Sequence, residues 1–159
     1  MSQQPISIAA HEIKDIFIML QVANNQVLFI LLASDGTINR KGDGSPDCKD
    51  HDLYIGRTDT APIIEELKAS ISPEMITFLH GTYDASEKKG RTCSLKIGFK
   101  TDSIETGIEF IYGEHSTGVP TEFRQLVTKA VQLTNPWHAS QKRASTQAQL
   151  QAKPWWKFW

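Results

Sequence analysis

A single small α+β domain with a mostly antiparallel sheet is the fold class this chain predicts, and three stretches predict it. Residues 16–34 hold two runs dense in Ile, Val, Leu and Phe, separated by Asn24-Asn25-Gln26. Residues 92–100 alternate apolar and polar side chains, the period of a strand with one wet face. Residues 123–131 place Phe123, Leu126, Val127, Ala130 and Val131 at helical spacing. A chain of 159 residues is long enough to bury a core without staples, and its 40% hydrophobic and 22% charged content is that of an ordinary globular protein.

The N-terminal part predicts a β-meander. Ile16 to Ala23 and Val27 to Ser34 form the first two strands, with the turn supplied by Asn24-Asn25-Gln26. Both faces of these strands are apolar, which points to a central sheet position covered on both sides. Asp35-Gly36 marks a tight hairpin turn leading into a short third strand, Thr37 to Arg40. Lys41 to Asp52 reads as loop, because it combines Gly42, Gly44 and Pro46 with Asp43, Asp47, Asp50 and Asp52 and has no periodicity. Leu53-Tyr54-Ile55 is a brief strand.

A first helix follows, capped by Asp59 or Thr60, with Pro62 in its first turn and Ile63, Ile64, Leu67 and Ile71 on one face. Ser72-Pro73-Glu74 is a new cap for a short second helix that carries Met75, Ile76 and Leu79 and ends at Gly81. His80 to Asp84 reads as a helix stop and a turn. Thr92 to Lys100 and Ile104 to Tyr112 form a later hairpin through Thr101-Asp102-Ser103. The third helix begins near Pro120 and is expected to stop at Asn135-Pro136, with Trp137 packing back on the domain. Two or three helices therefore cover one face of the sheet and leave the other partly wet.

The domain is thus expected to span residues 1–137. Residues 138–152 are rich in Ala, Gln, Ser, Thr and Lys and lack an apolar face, so they read as a polar linker or a solvated helix. Residues 153–159, Lys-Pro-Trp-Trp-Lys-Phe-Trp, hold three of the four tryptophans. Aromatic side chains are the largest apolar surface available to a folding core. Their placement on an extension marks Pro154, Trp155, Trp156, Lys157, Phe158 and Trp159 as a docking motif for a protein partner. Four rings burying about 150–250 Å² each cover one side of an ordinary interface. Ordering the tether consumes much of the gain, and a net affinity near ~1 μM is expected.

Charge and composition narrow the classes. All 18 acidic residues precede Trp137, whereas Lys142, Arg143, Lys153 and Lys157 follow it. An acidic body argues against nucleic-acid binding and lets the basic extension contact its own domain or a sister chain, so self-association is open. Cys48 and Cys93 form no disulfide framework, and a reduced cytoplasmic setting is the default. The N-terminus lacks the basic region of a signal peptide, and residues 16–33 are interrupted by Gln21, Asn24, Asn25 and Gln26, unlike a spanning helix.

Chemical motifs are sparse. Cys48 and His51, within the acidic loop, are metal-ligand types but lack the second pair that a zinc site needs. The five histidines are scattered, no Gly-x-Ser-x-Gly elbow exists, and Gly42-Asp43-Gly44 carries an acid where a phosphate would sit. No cofactor is expected. The reading is a non-enzymatic interaction module of adaptor, accessory or inhibitor/immunity type. Two alternatives remain: a small metal-dependent or hydrolytic enzyme using the Asp43–Asp52 loop, and a peripheral membrane protein held by the terminal aromatics.

Overall fold

The computed structural model describes residues 8–151, so the 153–159 motif lies outside the described residues. Ten elements follow a 3₁₀ turn at Ala10–Glu12. They are β1 (Asp15–Val22), β2 (Asn25–Leu32), β3 (Thr37–Gly42), β4 (Leu53–Arg57), α1 (Ala61–Ala69), α2 (Pro73–Ile76), β5 (Thr82–Asp84), β6 (Thr92–Lys100), β7 (Glu105–Gly113) and α3 (Thr121–Gln151). The strands form one sheet in the order β4-β3-β2-β1-β6-β7-β5, antiparallel throughout except for β5 beside β7. The α+β class and the antiparallel sheet agree with expectation.

Turn chemistry sets the registers. Ala23 and Asn24 both adopt left-handed backbone, at φ 50° and 68°, and Val22 faces Asn25 across a two-residue hairpin. Two consecutive positive φ values suit the right-handed twist of the flanking strands. The turn therefore sits one residue earlier than Asn24-Asn25-Gln26. At the next turn Asp35 Oδ1 accepts from Thr37 N at 2.8 Å and Gly36 takes φ 98°. Thr101 closes the β6–β7 connection, its hydroxyl accepting from Ile104 N at 3.1 Å.

One face of the sheet is sealed. Ile16 and Ile18 of β1, Leu28, Ile30 and Leu32 of β2, Leu95, Ile97 and Phe99 of β6, and Ile108 and Phe110 of β7 all point beneath the helices and are buried. The helices answer with Ile64, Leu67, Phe123, Leu126 and Ala130. Phe110 and Phe123 meet at 5.0 Å between ring centroids, and Phe78 lies edge-on to Phe123 at 5.5 Å. The expectation that β1 and β2 are covered on both sides fails. They do occupy the centre of the sheet, but no described helix lies on the opposite face.

Thr60 stands at the N-cap of α1, yet its side chain makes no capping bond. It is buried and donates instead to Ala33 O at 2.6 Å, tying the helix start to the end of β2. Replacing Thr60 by Val keeps the shape and removes the hydroxyl. We expect a loss of about 1–1.5 kcal/mol in urea unfolding, with Thr60→Ser close to the parent. Ser72 does cap α2, accepting from Met75 N at 3.4 Å. Beyond it, the expected turn at residues 82–84 is a strand. His80 takes φ 69°, His80 N donates to Gly107 O, and Glu109 N donates to Gly81 O, which draws the segment onto the edge of β7.

The largest departure is α3. It does not stop at Asn135-Pro136 but runs to Gln151 with Pro136 inside it. A mid-helix proline removes one backbone donor and costs roughly 3 kcal/mol or more. Two features offset that cost. Trp137 packs over Gly56 of β4, where an added Cβ would meet its ring at 2.8 Å, and His138 is only 5% exposed against Tyr54. Beneath the helix, buried Arg40 of β3 donates to Val131 O at 3.2 Å, Thr134 Oγ1 at 2.8 Å and Asn135 Oδ1 at 3.0 Å. Residues 138–151 are therefore helix, and His138 packs onto the sheet against Tyr54.

Candidate functional site: the open sheet face

Side chains alternate along a strand, so the residues between the core positions of β1, β2, β6 and β7 form the opposite face. Register places Leu31, Phe17, Gly98 and Gly107 in one row across β2, β1, β6 and β7. Ile55 and Asn39 extend that row through β4 and β3. The next row holds Phe29, Met19, Lys96 and Glu109, and on the other side Asp15, Lys100 and Glu105 stand in register. Phe17, Met19, Phe29 and Leu31 are each partly exposed, and Ile55 and Leu53 are 67% and 47% exposed at the edge strand. A contiguous apolar stripe thus crosses a face without a described helix over it. Patches of this kind on a monomer mark interaction surfaces more often than single exposed side chains do.

The stripe has a hollow in it. An open depression of about 630 Å³ is bounded by Phe17, Phe29 and Leu31 and floored by Gly98 and Gly107. Phe17 leans over Gly98, since a Cβ there would meet its ring at 2.5 Å. A Cβ on Gly107 would meet backbone first, Ile97 O at 3.0 Å. Phe17 also packs against Phe29 at 6.0 Å and an interplanar angle of 53°. Asp15, Lys100 and Glu105 rim the hollow, and Lys96 pairs with Glu109 at 3.4 Å on the far side. The hollow thus combines an apolar wall and a glycine floor with a charged rim.

The proposed docking residues Pro154, Trp155, Trp156, Lys157, Phe158 and Trp159 lie outside the described residues. The weak metal candidates are described and diverge. Cys48 packs with Val22, Val27 and Cys93, and its thiol faces Asp50 O at 3.9 Å, whereas His51 is exposed. No group of three or more potential ligands is assembled among the described residues. The loop carboxylates are separately engaged. Asp43 accepts from Ser45 N at 2.8 Å, Asp47 takes Arg91 at 3.0 Å, and Asp50 takes Lys142 at 2.6 Å. The backbone N–H of Ser45 holds Asp43 below the usual carboxylate range. Burial pushes Asp50 up, but Lys142 and the Asp52 N–H outweigh it and leave it lowered.

The histidines do not converge. His80 shares Thr106 Oγ1 at 3.0 Å, His115 stands beside Glu114 at 3.9 Å, and His11 is exposed near Glu12. His138 is the buried one, with Nε2 3.7 Å from Asp50 Oδ2. Burial drives its pKa down to about 4, with the charges of Arg40 and Lys142 adding to the shift and Asp50 and Asp43 opposing it. Arg91 clasps Glu114 with bonds of 2.9 and 2.6 Å, and that hydrogen bonding holds the Glu114 carboxyl at about 2. His80 and His138 tie a loop and a helix to the sheet, and Arg91 ties the 43–52 loop to Glu114 through Asp47.

Sequence reasoning expected a partly wet face but missed the apolar stripe on it, although its signal was present. Apolar residues at 17, 19, 29 and 31 alternate with the core positions, and Gly98 and Gly107 interrupt the interiors of β6 and β7. Only the register shows that Gly98 and Gly107 are opposite one another beside Phe17. Compared with known proteins, the chain matches no family model, no curated protein and no solved structure. No helix among the described residues is long and apolar enough to cross a membrane.

Proposed function

We propose that this chain is a non-enzymatic protein-interaction module, of adaptor, accessory or inhibitor type, whose 153–159 segment docks on a protein partner. The observation that carries this reading is the course of α3. Its last buried described position is His138, and most positions from Ala139 to Gln147 are exposed. From His138 to Gln151 the helix advances about 20 Å at ~1.5 Å per residue. The segment that follows begins at the end of a helical arm, beyond a core already closed by Phe123, Leu126, Ala130 and Trp137. An aromatic peptide tethered to such an arm is suited to docking on a separate surface.

The test uses the full chain as bait in extracts of its source cell, beside a variant carrying Trp155→Ala, Trp156→Ala and Trp159→Ala. Removing three aromatic anchors is expected to weaken partner capture by at least about tenfold. A docking role predicts that thermal unfolding of the variant matches the parent within about 0.5 kcal/mol. Recovery of the same partners in the same amounts by both baits overturns the docking role of the segment.

A further inference from the structure

We propose that the hollow on the open sheet face receives the 153–159 aromatic segment of a second copy of this chain, and that the exchange is reciprocal. The inference rests on the docking role proposed above and names the partner as a sister chain. Its structural half is the floor formed by Gly98 and Gly107, paired in register and walled by Phe17, Phe29 and Leu31. In antiparallel sheets, an aromatic ring laid across a glycine restores the packing that the missing side chain forfeits. Phe17 does this for Gly98. The atoms nearest a Cβ on Gly107 are backbone of Ile97 and Gly98, not a ring, and an indole from outside would supply one.

Charge agrees with this occupant. The rim carries Asp15 and Glu105 against Lys100, while the segment carries Lys153 and Lys157 and no acid. A volume of about 630 Å³ lies within the roughly 300–1,000 Å³ of clefts that hold compact ligands.

Reach decides between the chain's own segment and its sister's. On the covered face α3 passes Arg40 of β3, then Gly56 and Tyr54 of β4, and Gln141, Ala144 and Ser145 lie beside Leu53. It therefore leaves the domain at the β4 edge. Returning from that edge to Gly107 crosses five strand spacings, about 24 Å at ~4.8 Å each. Rounding the edge to the other face adds roughly 10 Å, the thickness of a packed layer. Six further helical residues from Ser145 to Gln151 carry the start about 9 Å away from it. The path exceeds 40 Å, whereas the eight residues after Gln151 span at most about 26–29 Å to Trp159. The hollow is out of range for its own segment and open to that of a neighbour. A two-fold axis closes the pair, since each copy then offers one arm and one face. Two segments burying about 600 Å² or more apiece amount to an interface of standard size.

Sedimentation velocity on full chains tests this. The parent is expected to dimerise at micromolar concentration. Leu31→Lys, which puts a charge in the wall, and the triple Trp155→Ala, Trp156→Ala, Trp159→Ala variant should each dimerise at least about tenfold more weakly. Mixed together, they should form a heterodimer more readily than either forms a homodimer, because one has an intact segment and the other an intact face. Glu105→Lys, at an exposed rim position, provides a second face variant that leaves the core untouched and should also weaken the dimer. A parent that stays monomeric to roughly 100 μM, or a dimer indifferent to both sets of changes, overturns the proposal. Should the parent be monomeric while partner capture still depends on the three tryptophans, the sister-chain assignment fails and the interaction role stands. A tryptophan-dependent dimer with unchanged partner capture gives the reverse result.

Discussion

Arg40→Ala is expected to destabilise the domain by about 3–5 kcal/mol, read as a fall in the urea midpoint. The side chain is fully buried, and its guanidinium meets four acceptors, Gly42 O at 2.9 Å together with Val131 O, Thr134 Oγ1 and Asn135 Oδ1. Truncation opens a cavity under α3 and leaves those acceptors without their donor. Both costs fall where Pro136 has already removed a backbone N–H from the helix. The cation itself is kept inside against the pull of desolvation, which lowers its proton affinity while Asp43 and Asp50 support it. Two substitutions separate packing from hydrogen bonding. Arg40→Met fills most of the space and should recover about 1–2 kcal/mol of the loss. Arg40→Lys keeps the charge but not the planar fork, and should fall between Met and Arg. A loss below about 1 kcal/mol for Arg40→Ala would show that the helix holds its course past Pro136 without this strut.

The same strut explains why one part of the fold was legible in the sequence and another was not. Alternation in Cys93, Leu95, Ile97 and Phe99 is a local property, and β6 begins and ends where that pattern does. The stripe of Phe123, Leu126 and Ala130 is equally local, and all three are buried. The end of α3 is not local. Asn135-Pro136 is a stop signal by every short-range rule, and what overrides it comes from Arg40, 91 or more residues earlier, and from the fit of Trp137 over Gly56. The β5 strand has the same character. Three residues are too few for a period, and they pair only because His80 and Gly81 bond to β7 and Tyr83 stacks on Phe110 at 5.5 Å.

The open face was half legible. Apolar residues on both sides of β1 and β2 were visible and pointed to cover on both sides of these two strands, whereas alternation in the later strands pointed to one partly wet face. Among the described residues the helices lie on one face only, and the second set of side chains on β1 and β2 forms the stripe. Composition alone does not distinguish a strand covered twice from a strand covered once whose other face is kept for a partner. That distinction needs the position of the helices, and α1 and α3 pack together on the same side. The terminal aromatics pose the same problem at the level of the whole chain. On the proposals above, the terminal aromatics and the sheet face without a described layer are two halves of one burial.

A second large effect is expected from acid. Lowering the pH from about 6.5 to about 4 should remove roughly 2–3 kcal/mol of stability through His138 alone. The imidazole is buried between Tyr54 of β4, Asp50 and Asp43 of the loop, Arg40 of β3 and Lys142 of its own helix. Its folded pKa, down to about 4, lies below the unfolded value of about 6.5. The unfolded chain therefore gains a proton through that window while the folded chain resists it, so unfolding becomes easier as pH falls. Asp43 and Asp50 act in the same direction but lower down. Their pKa values are held below the ordinary carboxylate value, so what they contribute is lost only below about pH 4. The two windows separate the imidazole from the carboxylates. His138→Phe keeps a ring against Tyr54 and removes the titrating group. Urea midpoints measured from about pH 7.5 to about 4.5 should slope steeply for the parent and remain nearly flat for His138→Phe. Parallel curves for the two proteins would place the acid sensitivity elsewhere and would mean that the ring accepts its proton inside the fold, where Asp50 Oδ2 at 3.7 Å is the nearest anion to receive it.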